Sequence, residues 1–509
     1  MSMEPSSWVV PCYSGWSMEE AAAWSSEDRI SFQTSLPSHS DSVQLQMVEY
    51  AAPATPTPTQ DNDCSDPTIQ VFKEVVQSFH TDYLDSMERK MHKIPPSLIC
   101  VGKWYIQPVT VAIGPYHHGL HPGVLEAERV KHVAATQCIT DSGRPVQEMY
   151  DAVFAVSADA RSLYYPDELA RFRDDDFLPM MFLDGCFLVQ FMRCYGDDVD
   201  GMDEALNRYF CANYVRIYTD IMMLENQIPW VVVKTILDFM PEPSLWEKFV
   251  TAMRAGMTNQ MYSKEVPPID LDPTYKPPHL LALIRFYIVG NNDDIKVDRP
   301  TAPGGDKPMS LSISVAELAS VGITIVPETE MSGLVHMTLQ KERLVHRGLC
   351  GKKFGFLFGD LRVPPLFPTD ANATWLVNMA AFELCKTPDF EGDDVKDEDS
   401  AVCSYLHLFA MLLDQEEHVH DLRKTKVIEG GGLTSKEMLD LFTGIGKNMR
   451  LGKCYLDIII EIEKFKQRRS IWLKLYLFFI KHWTKIMAVV TVVGAVIGIL
   501  SSLQALKPS

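Results

Sequence analysis

The sequence predicts a mainly α-helical protein: a large multi-helix domain with a small antiparallel β-sheet, closed by one C-terminal transmembrane helix. Three observations lead there. From Met180 to Met192 (MMFLDGCFLVQFM) every side is apolar except Asp184 and Gln190, so a helix there has no polar stripe and belongs in a core or a membrane. The run is shorter than the roughly 20 residues that span a bilayer, which puts it at the centre of a soluble domain. Apolar residues elsewhere recur at helical spacing, as in Val71, Val75, Phe79 and Leu84. Finally, Ile486 to Leu500, extended by SSLQAL to Leu506, carries no charge and is long enough to cross a bilayer.

Length and composition limit the function classes. With 509 residues, 46% of them hydrophobic, the chain can bury one large or two medium cores. Acids outnumber bases 67 to 47, a net charge of -20 that repels phosphate backbones and argues against nucleic-acid binding. The 11 cysteines form no CxxC pair, and several sit in apolar runs, which suits a reducing compartment. The first 20 residues carry early acids and no uninterrupted apolar stretch, so they do not read as a signal peptide.

In chain order, residues 1–67 are rich in Ser, Pro, Thr and acids and read as a disordered arm. The helical domain occupies 68–480. It opens with a helix after Thr68, and the proline-interrupted, β-branched stretch from Ile94 to Gly119 suggests short extended segments. Helices follow over Leu125–Ile139, Glu148–Ala160 and Pro166–Arg173. Asp174 to Asp176 then place carboxylates at the positive end of the central helix. Asp203–Phe210 and Tyr214–Glu225 continue the helical pattern, and Pro229 starts a further helix, giving an apolar pair that flanks the central one.

Between Pro241 and Pro308 loops dominate, interrupted by a helix over His279–Val289. Leu311–Ser320 reads as a helix capped by Ser310. GITIVPE, GLVHMTLQ and GKKFGFLFGDLRVPPL alternate and form the antiparallel sheet. Helices over Thr374–Cys385, Tyr405–Leu422, Ser435–Lys447 and Tyr455–Ile480 lead to the transmembrane segment 486–506. Seven Lys and Arg residues between Lys464 and Lys485 flank it, which puts the body in the cytosol by the positive-inside rule. Gly494 and Gly498 make a GxxxG, favouring membrane packing over the plainer reading of a C-terminal core helix. The expected location is a membrane, single-pass with a C-terminal anchor, the plasma membrane being one candidate.

Five ordered strings resemble one plant family, the domain of unknown function 247 proteins. They are IGPYHHG (Ile113–Gly119), MMFLDGCF (Met180–Phe187), LENQIP (Leu224–Pro229), VPPL with NMAAFE (Val363–Leu366 and Asn378–Glu383), and Ser404–Leu422 leading to Gly430–Phe442. Their order covers roughly Pro67 to Ile480. The motif residues so marked are Gly114, Pro115, Tyr116, His117, His118, Asp184, Gly185, Glu225, Asn226, Gln227, Pro229, Pro364, Pro365, Asn378, Phe382 and Glu383. Val363 stands where the family usually has Ile, and Ala380 also replaces an Ile, apolar-for-apolar changes that cores tolerate when neighbours repack. The resemblance implies a plant, membrane-associated, mostly helical protein with no established catalytic activity. In grasses the family includes self-incompatibility locus proteins, which implies recognition between pollen and stigma proteins.

Beside the resemblance, the residues offer two chemical candidates. Tyr116, His117, His118 and His121 could contribute imidazoles to a zinc site, but adjacent histidines diverge and no HExxH or Cys pair completes a ligand set. A turn after Gly114 and Pro115 is the plainer reading. His418 and His420 are read as solvent-facing. Asp184, Glu225 and Glu383 each sit in an apolar run, where they could split into acid and base or form a buried polar network with Asn226, Gln227 or an arginine. No GxSxG or phosphate loop accompanies them, which favours the network. Asn372, Ala373 and Thr374 form an N-glycosylation sequon, with Asn372 otherwise a turn or cap residue. The expectation is therefore a non-enzymatic protein without cofactor, metal or small-molecule substrate, whose partners are other proteins and, through 486–506, a membrane. The alternatives are an enzyme using the His-rich turn with a buried carboxylate, or a non-specific membrane scaffold.

Overall fold

The computed structural model describes residues 91–467, apart from 258–270, 291–312, 329–332, 348–352 and a few single positions or pairs, together with 73–77, 491–493 and 495–496. All belong to the unit Gln70–Ser509. The N-terminal arm and the first helix after Thr68, except 73–77, lie outside the described residues. So do most of the basic flank and of the segment 486–506.

The described chain is mainly helical. Its elements are α1 (Leu125–Ser142), α2 (Val146–Ser162), α3 (Pro166–Leu169), α4 (Asp174–Tyr195), α5 (Glu204–Asp220), α6 (Trp230–Leu237), α7 (Leu245–Met257), α8 (Leu280–Val289) and α9 (Val315–Ser320), then β1 (Ile323–Pro327), β2 (Thr338–Arg347) and β3 (Lys353–Val363), then α10 (Asp370–Lys386), α11 (Ala401–Leu412), α12 (Glu416–Lys424) and α13 (Ser435–Gly446). Residues 455–467 are also helical.

The apolar stretch at Met180 forms the middle of α4, with Asp174, Asp175 and Asp176 in its first turn. At 22 residues this helix is long enough to cross a bilayer, so the shortness of the apolar run did not decide its place. Burial does: 78% of its most apolar window lies inside the protein, packed chiefly by α1 and α6 with α2 and α7. Phe187 and Phe191 both stand edge-on to Phe210 of α5, at 5.3 and 5.5 Å, and Tyr195 meets Phe249 of α7 at 5.2 Å. Each fully buried Phe contributes roughly 1.5–3 kcal/mol relative to exposure. Among the described residues α4 is the one helix that meets both length and apolarity for a span, and it is internal.

The sheet is mixed, where an antiparallel one was expected. Its order is β1-β3-β2, with β2 antiparallel to β3 and β1 parallel to β3. Three β-rich runs in succession suggest a meander, but after β1 the chain passes to the opposite edge to form β2, and the hairpin then brings β3 back between them, parallel to β1.

Several boundaries differ from expectation for identifiable reasons. Ile94–Gly119 makes no strand; it forms short 3₁₀ turns and irregular backbone, because no neighbouring strand offers a ladder. Asp203–Phe210 and Tyr214–Glu225 are one helix, α5, which stops at Asp220, and 221–229 is a turn-rich linker to α6. Helix α7 occupies part of the region read as loops. Tyr405–Leu422 is divided between α11 and α12 at residues 413–415. The caps are Ser314 for α9, where Ser310 was expected, and Thr434 for α13, each accepting a backbone N–H. His418 is buried, not solvent-facing, and pairs with Asp414 one turn earlier.

Candidate functional site

The irregular segment 109–118 carries backbone N–H groups that no helix or sheet pairs, and buried N–H groups must be paired by something else. Side chains supply the partners. Asp220, the last residue of α5, accepts from Val109 N (3.2 Å), Thr110 N (2.7 Å) and Val111 N (3.0 Å). Asn226 accepts from Ile113 N at 2.6 Å and donates to Val111 O and Asp220 O. Asp184, projecting from the middle of α4, accepts from Gly114 N at 2.7 Å. The converging N–H groups at 109–111 are a potential anion nest, and the chain's own carboxylate fills it. Burial, opposed by these three bonds, pushes the Asp220 carboxyl up to about 6.

Lys131 of α1 completes the arrangement. Its Nζ lies 2.6 Å from Asp184 Oδ1, Glu128 Oε1 and Ala112 O, and its side chain is wholly buried. Burial opposes its charge, but Asp184 and Glu128 outweigh that effect and raise its affinity for the proton. Gly114 has φ +79°, and a Cβ there would stand 2.4 Å from Gln227 O; glycine lets the loop approach the linker so closely. Gly185 faces α6, where a Cβ would meet Ile236 Cδ1 at 2.4 Å.

The linker 221–229 is braced in turn. Gln227 Nε2 donates to Ile221 O (2.6 Å) and Met223 O (2.9 Å), while its Oε1 accepts from Leu281 N. Tyr164 donates its hydroxyl to Gln227 O at 3.0 Å. Asn378 of α10 accepts from Leu224 N and donates to Tyr105 O and Thr374 O. Pro229 caps α6, and Trp230 N donates to Pro278 O. Phe382 stands edge-on to the buried His279 at 5.1 Å, and Glu383 accepts from Arg285, Val402 N and Cys403 N. Pro364 offers its carbonyl to Tyr405 at 3.0 Å, with Pro365 half-buried beside it.

The structure therefore joins most of the motif residues in one polar framework, with Glu383 in a second buried knot against Arg285. His117 and His118 have separate partners, and His121 lies outside the described residues. His117 Nε2 lies 3.6 Å from Glu225 Oε2, and His118 Nδ1 lies 3.9 Å from Glu128 Oε1. Tyr116 donates to Met91 O, while Arg171 reaches Pro115 O and Tyr116 O. Glu225 Oε1 accepts from Ile94 N at 2.8 Å, and burial raises its carboxyl. Cys385 near this acid is pushed up to about 12, first by burial and then by Glu225, the wrong direction for a nucleophilic thiolate. Among the described residues no three His, Cys, Asp or Glu side chains come together to share a metal ion. The seven described cysteines are free thiols.

Sequence reasoning missed Lys131, Asp220 and Arg285. Asp220 carried the same signal as the acids that were singled out, since it opens the apolar run DIMMLENQIP. Lys131 and Arg285 were legible only as single charges within helices with apolar neighbours. Asn372 proves to be buried in the first turn of α10, its Nδ2 donating to Phe367 O at 2.9 Å, while Thr369 is the cap.

Comparison with known proteins gives relatives from plants. Residues 91–500 match the family DUF247, described as plant protein of unknown function. The chain is 22% identical to the UPF0481 protein At3g47200 of Arabidopsis thaliana over 401 residues, 73% of each chain. It is 27% identical over 175 residues to a second Arabidopsis UPF0481 protein, At3g02645, covering 34% of this chain and 32% of the relative. No solved structure matches.

Proposed function

We propose that this chain, which belongs to the DUF247 family of plant proteins of unknown function, acts by binding other proteins at a membrane surface, without catalysis of its own. One observation carries the reading: the acids and amides that look most like chemistry are engaged by the chain's own backbone. Asp184, Asp220, Asn226, Gln227, Asn378 and Glu383 each bond main-chain groups of other segments. Groups so engaged, each no more than 2% exposed, fix packing and are withheld from any substrate in solvent. Recognition then falls to exposed surfaces that this framework holds in place.

Tethering would come from 486–506. Of that run, Val492, Val493 and Val496 are described, helical and exposed at 62%, 51% and 49%, as expected of residues whose solvent is lipid. The preceding Lys and Arg residues favour a cytosolic body. Comparing the full chain with one ending at Lys485 in alkaline-washed bilayers tests the anchor; equal pelleting of both removes it. Protease digestion in sealed vesicles reads the orientation. The grass self-incompatibility proteins of the family make pollen–stigma contact one setting for such binding. Exchanging residues 291–308 and 391–400 between natural variants tests it, and unchanged partner choice discards it.

A second reading rests on the His117–Glu225 pair, an imidazole 3.6 Å from a carboxylate that retains some exposure. Such a pair can move a proton. Replacing His117 and His118 together without altering any turnover by the folded chain removes this reading.

A further inference from the structure

Helix α2 packs one apolar face into the core, and a second leaves the core along its length: Tyr150 still stands edge-on to Phe182 of α4 at 5.5 Å, while Val146 and Phe154 face solvent. Met149, Val153 and Ala160 are buried. On another side Val146, Tyr150, Phe154 and Ala158 recur every four residues, forming a stripe along the helix; Val146 is 49% exposed and Phe154 63%. Tyr150, Phe154 and Ala158 line an open cleft of about 790 Å³ whose other walls are Pro166 and Leu169 of α3 and Phe177, Leu178 and Pro179 of α4. An aromatic ring left in water beside a concave apolar wall marks a binding surface more than a random exposed residue does.

The rim sets the chemistry of what fits. Asp174 and Asp175 line the cleft at the start of α4, with side chains 91% and 88% exposed. The cations near them are already engaged. Arg161 donates to Phe172 O, lies 3.5 Å from Asp174 and covers the Phe177 ring at 5.0 Å, and Arg173 lies 3.9 Å from Asp175. These exposed pairs are weak and exchangeable. Arg161 lines the cleft together with Asp174 and Asp175, so the lining is net acidic by one charge and offers no cationic patch to anionic lipid headgroups, which makes a membrane the poorer occupant.

We infer that the α2–α4 cleft is a docking site for a cationic amphipathic helix of a partner protein. Its apolar face packs on the Tyr150–Phe154 stripe, and its Lys or Arg side chains reach Asp174 and Asp175. This rests on the recognition reading above and gives it a location. The mode is helix-in-groove binding, with apolar anchors at helical spacing and charge setting orientation and encounter rate.

The test uses the full chain in neutral phosphatidylcholine nanodiscs and a fluorescent helical peptide of roughly 16 residues made of Leu, Lys and one Trp. Anisotropy should report saturable binding. It should weaken about tenfold in Phe154→Ser, as for loss of a central aromatic anchor, and severalfold in the doubly substituted Asp174→Asn, Asp175→Asn chain. Raising salt from about 50 to 500 mM should weaken it further. Phe154, Asp174 and Asp175 are solvent-facing, so circular dichroism should show both variants folded. Unchanged affinity in both variants overturns the cleft and leaves recognition to another surface. Equal binding of a peptide with Glu in place of Lys overturns the charge assignment. If Phe154→Ser instead lowers capture of phosphatidylserine vesicles or self-association of the chain, the occupant is a membrane or a second copy and the partner-helix proposal falls. Recognition as such would fail separately, if cross-linking the native protein in plant membranes joined it to nothing.

Discussion

Lys131 Nζ lies 2.6 Å from Asp184 Oδ1, and neither side chain retains appreciable contact with solvent. The pair ties α1 to α4, while Asp184 also holds Gly114 N and Lys131 holds Ala112 O. It is thus the point where the central helix, its principal neighbour and the irregular motif loop meet.

Removing one member of that pair strands the other in the core. Lys131→Met is expected to cost about 3–5 kcal/mol, because Asp184 loses its compensating charge. Adding Asp184→Asn should recover part of the loss. Urea unfolding of the two single variants and the double measures the coupling; strictly additive losses would show that the pair does not act as a unit.

The two motif glycines should differ. Gly114→Ala forces a left-handed backbone on Ala and drives Cβ toward Gln227 O, which should cost roughly 3 kcal/mol or more. Gly185→Ala presses against a side-chain methyl of Ile236 that can rotate, which should cost about 1–2 kcal/mol. Thermal or urea midpoints rank the two, and the reverse order contradicts the geometry.

Stability should fall on mild acidification. Burial depresses His92 to about 4, and burial followed by His92 depresses His279 to about 3; the reference value is 6.5. The unfolded chain binds more protons between those limits, so each histidine removes about 1.4 kcal/mol per pH unit as pH falls below 6.5. Asp220 works the other way. Its folded value near 6 exceeds the model-compound value of 3.8, so the native state holds the extra proton, and stability rises as pH falls from 6 toward 4. Asp220→Asn removes that offset and should steepen the acid loss, besides costing about 1–3 kcal/mol at neutral pH through mispaired N–H groups at 109–111. Unfolding free energy measured from pH 7.5 to 4.5 in the wild type, Asp220→Asn and His92→Phe tests both signs, and a slope left unchanged by His92→Phe would refute the histidine contribution.

The sequon at Asn372 should remain unmodified on either side of a membrane. Its amide nitrogen donates to Phe367 O inside the first turn of α10, and a glycan has no room at a residue 3% exposed. Glycosidase treatment of the plant protein should leave its mobility unchanged; a shift would mean that Asn372 is surface-exposed in the cell. Absence of a glycan is consequently silent about orientation, and protease access decides it.

Much of the architecture is legible in local pattern. The central helix, the turn at Gly114 and the helices α1, α2, α8, α10 and α13 follow from apolar spacing and from where Pro and Gly interrupt it. The errors fall where local pattern is ambiguous. Ile94–Gly119 has the β-branched residues and prolines of extended chain, yet no strand pairs with it, and Asp220 and Asn226 take the place of a neighbouring strand. His418 looked like one more polar residue in EEHVH, and only the packing around α12 buries it.

The sequence by itself determined a mainly helical protein with an apolar central helix interrupted by Asp184 and Gln190, an excess of acids over bases, and a few acids and amides set in apolar runs. Tertiary structure alone decided what those acids and amides bind. Many of their partners are main-chain groups distant in sequence, such as Gly114 N for Asp184, 70 residues away, and Ile113 N for Asn226, 113 residues away. Periodicity reports which face of an element is buried, but a buried polar group is satisfied by whatever the fold brings within about 3 Å, and that proximity is a property of the packed chain.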